Sequence, residues 1–482
     1  MPETWATSVR NTAGVDLHLD LAGRRRRASL EAALRDAVRS GRLGPGTRLP
    51  SSRALAGDLG VARNTVADAY AQLVAEGWLT ARQGSSTRVA DRVTTAPAAP
   101  GRPDEPGAAA GPGPGPGPGR DRESRYDLQP GSPDLAAFPR TAWLAASRRA
   151  LDAAPAAAFG YSDPRGRPEL RRALAGYLAR ARGVRASPDT VVVCAGFAHG
   201  LALLSHVLAG RGGATLAVEA YGLPAHRDTV AAAGLAVVPV PVDARGAATA
   251  GLGTAAGALL TPAHQFPLGM VLHPQRRAQA VAWARDTGGL LIEDDYDGEF
   301  RYDRQPVGAM QALAPEHVVY AGSASKSLAP GLRLGWLVLP RGLIDEVVAA
   351  RLLADRQSGA FDQLTLAELI TGGGYDRHVR RARLAYRRRR DRLAQALAAA
   401  APQVRVTGIA AGLHALAELP AGQDEDEVVA RAGARGLHLQ GLRPYCAAAA
   451  HDRPALVVGY ATPPQHAFTG ALARLAAVLA AR

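Results

Sequence analysis

The sequence predicts two folded units: a small, mostly helical one at the N-terminus, and a large α/β one behind it that ends in a smaller α+β part. Three observations predict this. Residues 91–125 are a run of Ala, Pro and Gly, including the alternation from Gly111-Pro112 to Gly119, with no hydrophobic periodicity. Such a segment cannot bury a core and reads as a flexible or semi-extended linker. Before it, residues 1–90 carry apolar side chains at helical spacing. Behind it, residues 126–482 alternate short Val/Leu/Ala runs with Ala/Arg/Leu helical stretches, the signature of an open, mostly parallel sheet.

In the small unit, Leu30, Leu34 and Val38 recur every four residues and give one apolar helical face. Gly41 stops that helix, and Gly44-Pro45-Gly46 makes a turn. Ser51-Ser52 caps a second helix, which carries Leu55 and Leu59 and ends at Gly60. A third starts near Arg63-Asn64-Thr65, with Val66, Tyr70, Leu73 and Val74 facing inward. Residues 78–82, a turn at 83–86 and Thr87-Arg88-Val89 then form a basic β-ribbon. Two short helices joined by a tight turn and followed by such a ribbon make a winged helix-turn-helix. Its third helix would enter the major groove of double-stranded DNA, with Arg63, Asn64 and Thr65 at base edges or phosphates. Arg53, Arg82 and Arg88 would then lie along the backbone. The arginines at 24–27 read equally as phosphate contacts or as a solvated charge run.

In the large unit the expected strands are 191–193, 214–218, 237–240, 258–260, 290–293, 318–321 and 334–339. From about residue 343 come long Arg- and Ala-rich helices, then an α+β segment ending at 456–460. No repeat of 20–50 residues marks a solenoid.

The chain has 482 residues, 47% of them hydrophobic, which is ample for at least one large core. No apolar run reaches the roughly 18 residues of a membrane span, and the first ten residues lack a secretory pattern. Two cysteines, Cys194 and Cys446, stand far apart without metal-ligand spacing, so neither a disulfide scaffold nor a zinc site is expected. These features fit a reducing cytoplasm. The net charge of +14 fits a polyanionic partner such as nucleic acid.

The basic residues themselves say more. Of 57, all are arginine except Lys326. Coding bias toward arginine would have removed this lysine too, unless the position needs an amine, and only lysine forms a Schiff base. Lys326 sits in Gly322-Ser323-Ala324-Ser325-Lys326-Ser327, directly after a strand, with Arg333 seven residues on. Upstream, another strand ends in Glu293-Asp294-Asp295-Tyr296, at the carboxyl edge where open α/β sheets bind ligands. Pyridoxal 5′-phosphate needs these parts: an amine for its aldehyde, a carboxylate for its ring nitrogen, a donor for its phenolate and a cradle for its phosphate.

The stretch "SGRLGPGTRLPSSRALAGDLGVARNTVADAYAQLVAEGWLTARQGSSTRV" resembles the GntR-family DNA-binding domain, with Ser86 where a second glycine is frequent. The large unit resembles the fold-type I aminotransferases, and the pair resembles the MocR family of chimeric regulators. By that resemblance Lys326 is the lysine that holds pyridoxal phosphate, Asp294 the partner of its ring nitrogen and Tyr296 the phenolate donor. By the same resemblance Arg333 is the phosphate-binding arginine, and Ser323 and Ser325 are phosphate-loop positions. "CAGFAHGL" matches the turn whose backbone amides, at Gly196, Phe197 and Ala198, hold phosphate, and "YSDPRGRPELR" matches the segment whose tyrosine, Tyr161, reaches the neighbouring subunit's phosphate. "TPAHQFPLG" brings His264 and Gln265 near the site, whereas His199 and His226 read as ordinary polar residues.

Two departures stand out. Leu223 occupies the position that usually stacks an aromatic ring on the cofactor, with Tyr221 as the alternative. Val457 stands where aminotransferases carry the arginine that clamps a substrate carboxylate. The resemblance implies a cytoplasmic, homodimeric regulator rather than an enzyme, with no catalytic residues assigned. It would bind operator DNA and respond to pyridoxal phosphate, most like the vitamin B6-sensing, PdxR-like subgroup, and control genes of cofactor synthesis or salvage. The alternatives are an aminotransferase with a DNA-binding arm, or a regulator that senses an amino compound on the cofactor.

Overall fold

The computed structural model describes residues 26–40, 42–81, 86–90, 126–302, 307–447 and 453–480, and the chain divides into two compact units, residues 1–110 and 111–482. Gly41, Arg82, the arginines at 24 and 25 and the expected linker at 91–125 lie outside the described residues.

The small unit contains α1 (Arg26–Arg39), α2 (Ser52–Leu59) and α3 (Arg63–Ala75), followed by β1 (Leu79–Thr80) and β2 (Arg88–Val89). The antiparallel ribbon pairs Leu79 with Val89 and Thr80 with Arg88. Leu30, Leu34, Leu55, Val66, Leu73 and Val89 form its single core. Ser51 Oγ accepts the Ala54 N–H at the start of α2, and Gly60, at φ 60°, ends that helix in a left-handed turn. A fork from Arg35 to Glu76 (2.8 and 2.7 Å) ties α1 to the end of α3 and, with Gln72, holds the Glu76 carboxyl at about 2.

The large unit opens with β3 (Tyr126–Asp127), α4 (Arg140–Ala153) and α5 (Pro168–Arg182). There follow β4 (Val191–Cys194), α6 (Phe197–Gly210), β5 (Thr215–Glu219), α7 (Pro224–Ala232), β6 (Ala236–Val240) and the small hairpin β7 (Val242–Asp243) and β8 (Gly246–Ala247). Next come β9 (Gly257–Leu260), α8 (Pro274–Thr287), β10 (Leu290–Asp294), β11 (Val318–Ser323) and β12 (Gly335–Val338). The main sheet has the order β4-β12-β11-β10-β9-β5-β6, in which β12 alone runs against its neighbours. All seven strands expected from the sequence are in it. Five of them are buried from end to end, which is why they read as continuous apolar runs rather than alternating ones.

After α9 (Ile344–Ala354), α10 (Ala360–Thr371) and the 27-residue α11 (Gly374–Ala400), the α+β part begins. It holds β13 (Arg405–Thr407), β14 (His414–Glu418), α12 (Glu425–Gly433), β15 (Leu437–His438), β16 (Ala455–Gly459) and α13 (Gln465–Ala480). β13, β14 and β16 make an antiparallel sheet, while β15 pairs with β3 and so brings the first residues of this unit to its C-terminal part. A buried bridge, Arg389 to Asp134 at 2.6 Å, fastens the same junction. Among the described residues no helix is long and apolar enough to cross a membrane.

Candidate functional site

Parallel strands end at one edge of the sheet, so whatever follows them is delivered there. β10 ends at Asp294, β11 ends at Ser323 three residues before Lys326, and α6 starts just beyond the end of β4. β12 runs the other way, so its start, just after Arg333, lies at this same edge.

Lys326 Nζ donates to the Gly131 carbonyl at 2.6 Å. Burial pulls its pKa below the ordinary lysine range, while Asp294 and Asp297 work in the opposite direction. The Asp294 side chain is 5% exposed, and among the described residues no donor reaches its carboxylate. Burial first, then the neighbouring Asp295, pushes its pKa well above the usual carboxylate range. A buried carboxylate without a donor calls for a cationic N–H.

The Tyr296 hydroxyl lies 3.0 Å from His264 Nδ1, and the same nitrogen lies 2.7 Å from Asp297 Oδ2. Gly412 closes over this trio: a Cβ there would fall 2.3 Å from His264 Cε1. Gln265, buried, bonds to Glu219, Tyr221 and Phe266 and so shapes the loop rather than facing the site.

A cradle forms where α6 begins. Gly196 precedes the helix at φ 83°, no side chain caps the helix, and the N–H groups of its first turn at Phe197 and Ala198 have no intrahelical acceptor. A Cβ at Gly196 would meet the Arg333 guanidinium at 3.1–3.3 Å, and one at Gly335 would meet the Gly196 backbone at 2.8 Å. Arg333 itself has φ 50° and donates to the Ala195 carbonyl. Ser323 is buried beside them and accepts the Ser325 N–H at 3.4 Å. Glycine amides, hydroxyls, a helix N-terminus and a guanidinium make an anion seat. The residues present therefore fit pyridoxal phosphate, both at the seat and at the donorless Asp294.

Tyr161 is not brought to this group within the chain; it is 87% exposed. Three residues that the sequence does not single out touch this group, Gly131, Asp297 and Gly412, and His226, which reads there as an ordinary polar residue, lies close to Lys326. The His226 ring packs on Phe197 at 4.8 Å, and burial, with Lys326 and Arg227 adding to it, lowers its pKa to about 4. Its position one helical turn beyond Leu223 was the available signal. Leu223 itself is exposed, and Tyr221 packs into an apolar cluster with Phe266, Leu416, Leu442, Tyr445 and Val457. Val457 is fully buried in that cluster. The nearby arginines are engaged elsewhere: Arg227 donates to the carbonyls of Gly222 and Tyr445, and Arg443 pairs with Asp424 and Asp426.

On the small unit, Arg63 and Asn64 open α3 as exposed side chains and Thr65 is half-buried behind them. No side chain caps that helix start, so its amides also face outward for phosphate. Arg53 is exposed on α2, and Arg88, exposed on the ribbon, donates to the Gly46 carbonyl at 3.0 Å.

Residues 26–89 match the family described as "Bacterial regulatory proteins, gntR family", and residues 127–435 match "Aminotransferase class I and II". The chain is 33% identical over 417 residues to the HTH-type pyridoxine biosynthesis transcriptional regulator PdxR of Corynebacterium glutamicum, covering 86% of this chain and 88% of that one. It is 33% identical over 364 residues to the Rhizobium meliloti protein named "Probable rhizopine catabolism regulatory protein MocR", covering 74% of each. Among solved structures, an archaeal alanine:glyoxylate aminotransferase aligns with a TM-score of 0.67 at 24% identity, over 73% of this chain and 90% of that one. LysN, the α-aminoadipate aminotransferase of Thermus thermophilus, aligns with a TM-score of 0.66 at 23% identity, over 74% and 92%. At these identities the two structures speak for the fold.

Proposed function

Because the chain belongs to the GntR family of bacterial regulatory proteins as a MocR-type member, we propose that its aminotransferase-like unit reads pyridoxal phosphate and its winged helix reads an operator. The observation that carries this reading is the buried Asp294 carboxylate without a donor, on the same sheet edge as Lys326 and the Arg333–Gly196 seat. Asp294 would hold the ring nitrogen, Tyr296 and His264 the phenolate side, and Arg333, Ser323, Ser325 and the amides of Gly196, Phe197 and Ala198 the phosphate. When bound, the cofactor supplies an aldehyde that condenses with the Lys326 amine.

What the chain lacks points away from turnover. A valine cannot make the two-pronged contact that orients a carboxylate, and the arginines nearby already donate to backbone or pair with carboxylates. The ligand that keeps most of its contacts is then the cofactor itself. With the pyridoxine biosynthesis regulator of Corynebacterium glutamicum among the relatives, the genes controlled are those of pyridoxal phosphate supply. A DNA-binding regulator acts where the chromosome is, in the cytoplasm.

The large unit pairs as a homodimer in this reading. Tyr161 is exposed, and Phe159 and Phe361, also exposed with their rings 5.6 Å apart, offer apolar surface for a second copy to cover. The test is operator affinity of the full-length protein with and without saturating pyridoxal phosphate, for wild type and Lys326→Ala. A cofactor shifts that affinity only by binding the two states unequally, so equal wild-type affinities sink the sensing role.

A further inference from the structure

α11 carries a buried stripe of polar side chains. Tyr375, His378, Tyr386 and Arg389 stand along it three, eight and three residues apart, which puts them on one helical face, and all four are buried. Polar groups in such a place cost free energy unless each finds a partner. Two short segments of chain, one at each end of the Lys326 side chain, supply a partner to every one of them.

The first two grip Ser327, the residue after Lys326. His378 Nε2 lies 2.8 Å from the Ser327 carbonyl and so carries the proton that it donates there. The Tyr375 hydroxyl donates to Ser327 Oγ at 2.7 Å and lies 3.2 Å from Glu299 Oε1, with its ring edge-on to Tyr177 at 5.0 Å. Backbone and side chain of the buried Ser327 are thus both taken by one helix. The other two grip Asp134, three residues past Gly131. The Tyr386 hydroxyl accepts the Asp134 N–H at 3.0 Å, and Arg389 pairs with its carboxylate at 2.6 Å. Gly131 in turn is the residue whose carbonyl takes the Lys326 amine. α11 therefore anchors Lys326 twice, beside its backbone and beside the partner of its amine, at points roughly 12 Å apart along one helix.

A lysine stem is flexible, so the place of its amine is decided by what fixes its two ends. The titratable groups that face this amine are Asp294 and Asp297, which favour its protonated form, with His226 on α7 and His414 on β14. Held among them and out of water, the amine sheds its proton more readily than an ordinary lysine; let loose toward solvent, it regains ordinary behaviour. Resting on the reading of Lys326 as the cofactor-holding amine, we propose that His378 and Tyr375 are positioning residues for that amine, acting through Ser327. α11 is then the ruler that keeps the amine at one place for an incoming aldehyde.

Because Lys326 is the sole lysine, its amine can be followed by itself in the full-length protein. The probe is acetic anhydride, applied over a pH series without added cofactor and read by the mass of the peptide that carries Lys326. His378→Leu removes the donor to Ser327, His378→Gln keeps one, and Tyr375→Phe removes the hydroxyl while keeping the ring. In His378→Leu and Tyr375→Phe the midpoint of acylation should move up by about 0.5 pH unit or more, toward that of an ordinary lysine. Uptake of pyridoxal, followed by its visible absorbance, should slow about 10-fold or more in both, the scale of a slightly misplaced reacting group. His378→Gln should lie nearer wild type in both measurements. If His378→Leu does not fold, Tyr375→Phe decides. A lowered melting temperature with midpoint and uptake unchanged makes the stripe a packing feature and overturns the proposal. A wild type that takes up no pyridoxal phosphate removes the cofactor reading instead, and the acylation midpoints still decide whether α11 positions the amine.

Discussion

Gly196 and Arg333 approach so closely that a methyl group on the glycine would stand 3.1 Å from the guanidinium, in the space where the seat is open. Gly196→Ala should therefore fill the cradle and strain a backbone held at φ 83°. A stability loss of about 1–3 kcal/mol is expected from the backbone conformation alone. Binding of pyridoxal phosphate should weaken more than binding of pyridoxal, as read by titration of the visible absorbance.

Lys326 and Asp294 give a second pair of outcomes. Borohydride reduction in the presence of pyridoxal phosphate should label Lys326 alone, and Lys326→Ala should remove the label. Asp294→Asn replaces a buried anion by an amide and should weaken cofactor binding by about 1.5–3 kcal/mol, the range of a hydrogen bond to a charged group. Labelling elsewhere, or undiminished binding to Asp294→Asn, would count against the site.

A third outcome concerns pH. His414 is buried, its Nε2 lies 3.1 Å from the Pro267 carbonyl, and burial together with His264 pushes its pKa down to about 3. The unfolded chain therefore takes up a proton near the ordinary histidine value while the folded chain does not. Stability is fully present above that value and falls as pH drops toward 3, by at most about 1.4 kcal/mol per pH unit from this residue. Melting temperature should decline from pH 7 to pH 5, and less steeply in His414→Gln. An unchanged slope in the variant would exclude His414 as a source.

A fourth separates base readout from backbone binding on DNA. Arg63→Ala should cost about 1–3 kcal/mol on the operator and relax base preference. Arg53→Ala and Arg88→Ala should weaken all sequences alike and flatten the salt dependence, by about one unit of slope for each phosphate no longer neutralised. Electrophoretic shifts over a salt series distinguish the two.

The fifth concerns the missing clamp. Val457→Arg would bury a guanidinium among Tyr221, Phe266, Leu416 and Tyr445. It should destabilise the fold by about 3–5 kcal/mol rather than create transamination. Rapid mixing with amino acids should convert little of the bound cofactor in wild type and variant alike.

Much of this was legible in the amino-acid order, for identifiable reasons. The sheet strands stood out because burial on both faces makes each an unbroken apolar run. Lys326 stood out because every other basic residue is arginine. Ser51 and Gly60 bound α2 where capping chemistry requires. Pairings across long stretches of chain were not legible: Gly131 meets Lys326 from 195 residues away, and no local pattern announces that. His226 reads as an ordinary polar residue in the sequence, because no local pattern shows that its ring packs on Phe197. Tyr161 matches a motif, yet within the chain it is exposed and makes no contact with Lys326 or Arg333 among the described residues.

The reversed strand β12 has a consequence for how the site tolerates change. Ser323 pairs with Gly335 across it, and the Ala324 amide reaches the Leu334 carbonyl at 2.9 Å. Lys326 and Arg333 therefore sit on one short bight of chain pinned at both feet, like the jaws of a caliper set by a single screw. Drift elsewhere in the sheet moves both jaws together and leaves their gap unchanged. One residue added between the pins would reset the gap by up to about 3.5 Å, more than the length of a hydrogen bond. The spacing between amine and anion seat is thus insulated from substitution but exposed to insertion, and natural variation in this bight should run through side chains and not through length.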